Sequence, residues 1–371
     1  MLVYEIQDVR EHAVGAGLNM ISASWRRINR RLDRYRDYLY FGNLAPTRLL
    51  NAARYLLDNS QSGFLPYHPL YYMVETGNLC RLRCPFCCQG HFDGGVHSSR
   101  SMLRYEDFLQ ILDKIAPYAM VLDLFKHGEP FLNPDIVRMI QAATARQVRC
   151  RINSGMNFDL DRTRAEQICR SGLYKIVCAI DGITQPVYEK YRVGGDLDLA
   201  LRNAALLLAV RRELGLQSPL MVFRMLVFEW NHHQVGRARE LASQMGFDRF
   251  AADPGVFLID GQTVEWDVPA GRWQPATWHL DSIFPASTSQ PRPAKPRRCS
   301  SLFHTLVVHS NGASMVCCHA SRKQWQHGSL LDEPLAAIWN SEAYVATRRA
   351  ALGLDPVSEA VFPQCRNCCW L

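Results

Sequence analysis

From residue 71 onward, the spacing of apolar positions switches repeatedly between two patterns. Short runs of consecutive apolar residues alternate with longer stretches in which apolar side chains recur every three or four positions. The first pattern predicts buried strands at 71–76, 121–125, 148–152, 175–180, 220–228 and 249–252. The second predicts helices at 105–115, 136–145, 165–171, 197–214 and 234–245. Strands alternating with helices imply parallel strands joined by right-handed crossovers. Six such units predict an α/β fold, a partial (β/α)6 barrel resembling part of a TIM barrel, with functional residues just past the strand ends.

The pattern differs on either side of this region. Residues 1–68 read as a helical extension, and 69–268 as the barrel. Six prolines break residues 269–298, which read as a linker. Residues 299–371 form a small C-terminal domain. It opens with a predicted hairpin, 306–309 and 314–317 about the turn Ser310-Asn311-Gly312, followed by a helix at 335–349.

Charge alters this picture at one place. The formal net charge is +7, and Arg26, Arg27, Arg30, Arg31, Arg34 and Arg36 lie together against a single Asp33. On a helix they flank an apolar stripe of Trp25, Ile28, Leu32, Tyr35 and Leu39. This predicts either a solvated helix docked on the main domain or contact with a membrane surface. No apolar stretch reaches membrane-spanning length and no signal peptide is expected, so the expectation is a cytoplasmic protein.

The thirteen cysteines are clustered. Cys150, Cys169 and Cys178 lie in apolar segments, as buried thiols do. The others gather at 80–88 and 299–369, which predicts metal centres rather than disulfides. Cys80, Cys84 and Cys87 offer three thiolates in one short loop. Such a loop can hold three irons of a 4Fe–4S cube and leave the fourth iron open to a small molecule. A zinc loop usually supplies two cysteines and finds its second pair elsewhere. Cys299, Cys317, Cys365 and Cys368 offer four thiolates, enough to close a cube completely or to bind zinc. Cys318 and Cys369 are alternatives by one position.

Cys80-x3-Cys84-x2-Cys87, with Phe86 before the last cysteine, resembles the signature of the radical S-adenosylmethionine (SAM) superfamily. The resemblance extends from about residue 71 to 250. Lys126-His127-Gly128-Glu129-Pro130 resembles the superfamily's Gly-Gly-Glu-Pro segment, with His127 in place of the first glycine. The resemblance implies that Gly128, Glu129 and Pro130 meet the SAM ammonium. Asn153 and Ser154 would reach its ribose and carboxylate. Asp181 would take ribose hydroxyls, orient substrate or cap the next helix; Arg192 would pair with the SAM carboxylate or lie at the surface. Arg224, inside the fifth strand, must pair with another group or face the cavity, and Asn231 resembles an asparagine found after that strand in this family. It further implies reductive SAM cleavage to a 5′-deoxyadenosyl radical, with electrons from a flavodoxin or ferredoxin.

The C-terminal segment resembles the shortened "twitch" form of the SPASM domain. The shared features are Asn311-Gly312, Cys317-Cys318, Gly328-Ser329-Leu330, Ile338-Trp339-Asn340-Ser341, Arg348 and the final cysteines, in that order. That resemblance favours one auxiliary 4Fe–4S cluster over zinc, making two clusters in all. It also implies hydrogen-atom abstraction followed by oxidation or rearrangement of a small, polar, sugar-like metabolite, with the auxiliary cluster accepting an electron. Two alternatives remain open: modification of a peptide or protein side chain, and a non-enzymatic zinc or iron–sulfur protein. No nucleic-acid partner is expected.

Overall fold

The computed structural model describes residues 45–58, 62–85, 87, 101–254, 258–259, 262–263, 299, 301–317 and 326–366. The arginine-rich segment and the proline-rich 269–298 lie outside the described residues.

The elements follow from local sequence. Helix α1 (Pro46–Leu57) starts with proline, whose missing N–H costs nothing at that position. Strand β1 (Tyr71–Val74) follows. Helix α2 (Tyr105–Ile115) buries Phe108, Ile111, Leu112 and Ile115, one stripe at helical spacing, with acids in its first turn and Lys114 in its last. Then come β2 (Val121–Asp123), α3 (Ile136–Ala145), β3 (Arg149–Ser154), α4 (Arg162–Arg170) and β4 (Lys175–Ala179). Helices α5 (Gln185–Tyr191) and α6 (Leu197–Glu213) lead to β5 (Leu220–Val227), α7 (Val235–Met245) and β6 (Arg249–Pro254). Asp161 and Asp196 cap α4 and α6, each accepting a hydrogen bond from a backbone N–H three residues on. A two-stranded ribbon, β7 (Leu258–Ile259) and β8 (Gln262–Thr263), comes next.

After α8 (Ser301–His304), β9 (Thr305–Val308) and β10 (Ala313–Met315) form the expected hairpin, and β11 (His327–Ser329) adds to it. The single helix expected over 335–349 is two, α9 (Leu335–Trp339) and α10 (Glu342–Ala351), broken at Asn340 and Ser341. The break is functional in packing terms: the Asn340 side chain brackets the backbone of Leu65 and accepts from buried Arg348. Helix α11 (Pro363–Arg366) carries Cys365.

Nine strands form one open sheet in the order β11-β10-β9-β1-β2-β3-β4-β5-β6. Strands β1 to β6 are parallel neighbours in sequence order. Beyond them, β9 joins the free side of β1 in parallel, with Tyr71 opposite Thr305 and Val74 opposite Val308. The C-terminal hairpin therefore continues the barrel sheet instead of forming a sheet of its own.

The helices cover one face of this sheet. Tyr72, Val74, Leu122, Ile152, Ile176, Phe223, Leu306 and Val308 belong to the large core beneath them. The opposite face is mixed. Met73, Val307 and Met315 form a small apolar patch there. Beside it, Arg151 makes a two-pronged pair with Asp123 at 2.5 and 2.9 Å, and the Tyr71 hydroxyl donates to the same carboxylate. Further along, Arg224 reaches Asp253 at 2.6 Å. No helix among the described residues is long and apolar enough to cross a membrane.

Candidate active site

Beyond β1 the chain turns over the sheet as the loop that carries Cys80, Cys84 and Cys87. Three backbone ties fix it. Asn78 exchanges hydrogen bonds with Ser101, Glu129 N–H donates to the Leu79 carbonyl at 2.6 Å, and Arg83 N–H donates to the Val193 carbonyl at 2.9 Å. Between the last two ties, Leu82 is buried against two glycines. A Cβ on Gly155 would lie 2.8 Å from Leu82, and one on Gly195 would lie 3.0 Å from it. Within the loop, Cys87 N–H donates to the Cys84 carbonyl at 3.0 Å, and Leu82 N–H to Cys80 Sγ at 3.4 Å.

Gly128 is the tightest point. Its φ is +74°, and an added Cβ would sit 2.4 Å from the Gly77 carbonyl oxygen and 2.8 Å from that of Leu79. Only glycine allows the two loops to touch. Glu129 follows, buried, accepting from Gly155 N–H at 2.9 Å and from Phe131 N–H at 3.3 Å. Burial lifts its carboxyl to about 7, against the pull of hydrogen bonds from Ser154 and the two backbone groups. The carboxyl is thus poised between acid and anion beside the cysteine loop. Pro130 opens a short 3-10 turn. His127 turns its ring toward Glu75, at 2.8 Å.

The other expected residues fall on the same rim. Asn153 and Ser154 end β3, and the Ser154 hydroxyl accepts from Met156 N–H. Asp181, after β4, is wholly buried, with one oxygen on Arg192 Nε and the other on Leu226 N–H, each at 2.6 Å. Arg192 also reaches Cys84 Sγ at 3.6 Å. Asp181 therefore holds the arginine that touches a cysteine. Asn231 uses its amide on backbone alone, accepting from Phe228 N–H and donating to the Asp181 and Leu226 carbonyls. Arg224 lies on the mixed face with Asp253. Phe86 lies outside the described residues.

Tyr191, Phe228 and Leu226 line the cysteine loop, with Trp230 stacked on Phe228 at 4.2 Å. In this apolar setting burial pushes the Cys80 thiol up to about 12, with Glu129 adding to the effect. Burial also lifts Cys84 to about 11, against the favourable charge of Arg192. Such thiols ionise only when a metal takes their sulfur. Three gathered thiols, a glycine cradle and a buried carboxyl fit a cluster with one open iron and a cationic ligand.

In the second set, Cys299, Cys317 and Cys365 pack against the core, and the electrostatic influence of all three reaches the buried Tyr344 phenol. Cys365 N–H donates to the Phe362 carbonyl, which orients that end of the set. Arg348 is held beneath by the Leu302 carbonyl and lies over the Trp339 ring at 4.1 Å. Cys318, Cys368 and Cys369 lie outside the described residues. Sequence reasoning missed Leu82, Val193 and Ser101 as the residues that fix the first loop, because ordinary apolar and polar residues carry no chemical signature.

Comparison with known proteins agrees with this geometry. Residues 299–369 match the SPASM family, an iron–sulfur cluster-binding domain. The chain is 28% identical over 184 residues to PqqA peptide cyclase of Granulibacter bethesdensis, covering 49% of this chain and 46% of the relative. It is 27% identical over 174 residues to Fe-coproporphyrin III synthase of Methanosarcina barkeri, covering 44% and 41%. The chain thus spans less than half the length of these curated relatives. Among solved structures, Streptococcus suis SuiB bound to S-adenosylmethionine superposes with a TM-score of 0.60 over 86% of this chain and 76% of that one, at 14% identity. SuiB has also been solved bound to its precursor peptide SuiA. The matched SPASM segment, the partial likeness to PqqA peptide cyclase and the fold shared with SuiB together support a radical SAM enzyme with a C-terminal SPASM domain.

Proposed function

We propose that this enzyme performs a two-electron oxidation of a peptide or protein side chain, with the auxiliary cluster as electron acceptor. When bound, SAM and the first cluster supply a 5′-deoxyadenosyl radical able to remove a hydrogen atom. Cys80, Cys84 and Cys87 would hold that cluster, Glu129 would receive the SAM ammonium, and Arg192 would temper the sulfur of Cys84. Cys299, Cys317, Cys365 and Cys368 would hold the second.

The observation that carries the reaction class is the shared sheet. Strand β10, which leads into Cys317, lies two strands from β1, which leads into Cys80. Strand β10 runs antiparallel to β9 and β1, so Cys317 and Cys80 lie toward opposite ends of one continuous sheet, which is the common support of both cysteine sets. Support for the substrate class comes from the relatives: one is named as a peptide cyclase and SuiB has been solved with a precursor peptide. A small sugar-like substrate finds no such support among them. A flavodoxin- or ferredoxin-type donor in a reducing cytoplasm would complete the reaction.

The test uses the reduced holoenzyme with SAM and candidate peptides, following 5′-deoxyadenosine and loss of two hydrogens from the peptide. Cys365→Ala with Cys368→Ala should leave some deoxyadenosine formation in a folded protein but stop the oxidised product. A folded double variant with full product formation removes the acceptor role. Peptides left intact while a sugar-like alcohol is consumed overturn the substrate class.

A further inference from the structure

Three potential metal ligands meet beside the cysteine loop, and neither the cluster motif nor the SPASM match accounts for them. Glu75 follows β1, His127 follows β2 and precedes Gly128, and His309 follows β9. One ligand atom from each lies within 4.8 Å of the others. His127 Nδ1 is 2.8 Å from Glu75 Oε1, and His309 Nδ1 is 3.2 Å from Oε2. Two donors about 2.1 Å from one metal ion are themselves about 3.0–3.4 Å apart, so these spacings are already near those of a coordination shell.

The geometry points to a divalent transition-metal site at Glu75, His127 and His309, separate from both cysteine sets. Two imidazoles and a carboxylate suit a borderline ion of the Zn2+ or Fe2+ class. Three protein ligands leave at least one position for an oxygen donor, and His127 directly precedes the Gly128-Glu129 turn.

The surroundings are built for this. Glu75 is wholly buried, and the Ser310 N–H and hydroxyl both donate to its Oε2, at 3.2 and 3.1 Å. Such outer contacts orient a ligating carboxylate. The backbone beneath is fixed: Glu75 N–H donates to the Val308 carbonyl and His309 N–H to that of Ala313, both at 2.8 Å. Burial, then the charge of Lys126, keeps the His127 ring neutral, which is the ligand form.

Lys126 sharpens the proposal. Its Nζ is 3.1 Å from His127 Nε2. An ammonium there favours the tautomer with the proton on Nδ1, facing Glu75. Metal binding at Nδ1 needs the other tautomer, whose Nε2–H would point at the ammonium. Lys126 is half-buried, and its ammonium must move away from Nε2 before that tautomer forms. It therefore competes with the metal.

The experiment uses the holoenzyme with both clusters loaded, passed over a chelating resin and titrated anaerobically with Zn2+ by calorimetry, with zinc and iron counted per chain. One tight equivalent of zinc is expected in the wild type. His309→Gln and Glu75→Gln should each weaken it about tenfold or more with cluster iron unchanged, and Lys126→Met should tighten it. If Glu75→Gln fails to load its clusters, His309→Gln and Lys126→Met decide alone. Equal uptake by wild type and His309→Gln, no tight zinc in either, or weaker binding in Lys126→Met overturns the site and leaves a hydrogen-bonded network.

Discussion

Replacing Gly128 by alanine tests whether contact between two loops sets up the cluster site. The backbone there has φ +74°, which costs an L-residue about 1–2 kcal/mol. The new methyl would meet backbone on three sides: Gly77 O at 2.4 Å, Leu79 O at 2.8 Å and Asn78 C at 2.9 Å. A comfortable carbon contact is about 3.5 Å, so residues 77–79 must retreat by close to the difference. Overpacking of this kind costs about 1–3 kcal/mol. The sum, about 2–5 kcal/mol, is a large share of the 5–15 kcal/mol that holds a typical domain together. The strain falls on the Glu129 N–H to Leu79 carbonyl bond, one residue before Cys80. Gly128→Ala should therefore lower the melting temperature, reduce iron per chain after anaerobic reconstitution, and weaken SAM binding at least about tenfold. Gly353 is the control. Its φ is +71°, but nothing lies within 4 Å of its added Cβ. Gly353→Ala should show the backbone cost alone, with full activity. A Gly128→Ala protein that melts and cleaves SAM like the wild type, or a Gly353→Ala protein equally damaged, refutes the reasoning.

Changing Cys80, Cys84 and Cys87 together to alanine should abolish SAM cleavage while iron at the auxiliary set persists, as Mössbauer spectra would show; residual cleavage would break the assignment. For Glu129, the folded carboxyl at about 7 lies above its ordinary 4.5, so the folded state binds that proton more tightly. Its contribution to stability is then fullest below about pH 4.5 and is lost as pH rises through about 7. A cationic ligand that needs the carboxylate should bind with proton release, so SAM affinity rises with pH up to about 7 and then levels. Glu129→Gln should flatten that profile and weaken binding about ten- to a hundredfold, which calorimetry in two buffers can read; a wild-type profile in the variant makes Glu129 a turn residue only. Asp181→Asn leaves Arg192, whose side chain is 13% exposed, without its counter-charge at 2.6 Å, a loss of up to about 3–5 kcal/mol. Thermal melts should show it, and Asp181→Asn with Arg192→Gln should recover part; a silent single variant would contradict the pairing.

Much of the barrel is legible in the sequence because its signals are local. The helix Tyr105–Ile115 is written in four apolar residues at helical spacing, and the strand runs fall where the ladder forms. Helix α5 is less legible: it is seven residues long and shows only Tyr188 and Tyr191 to the core. The three-cysteine loop reads directly, since its chemistry is held in eight consecutive residues. What surrounds it does not. Asp181 looks like a free rim carboxylate until Arg192 and Leu226 are seen to occupy it. Asn231 looks like a ligand-facing amide until its three bonds prove to be to backbone. Glu75, His127 and His309 converge from three strand ends, and no spacing along the chain encodes that meeting. The same holds for β9 beside β1, a pairing set by two edges rather than by a repeat.

That last pairing has a consequence for assembly of the chain. The side of β1 opposite β2 is completed by residues more than two hundred positions downstream, at Thr305–Val308. During synthesis Tyr71–Val74 waits with unsatisfied amides on that side, an apolar edge open to pairing with any passing strand. Closing so long a loop makes the step slow, and the exposure persists until the C-terminal hairpin arrives. A chain cut before residue 305 should therefore aggregate rather than yield a free-standing barrel, and the cluster-binding segment, which itself contains β9, can be exchanged between enzymes only where the recipient's β1 edge accepts that strand.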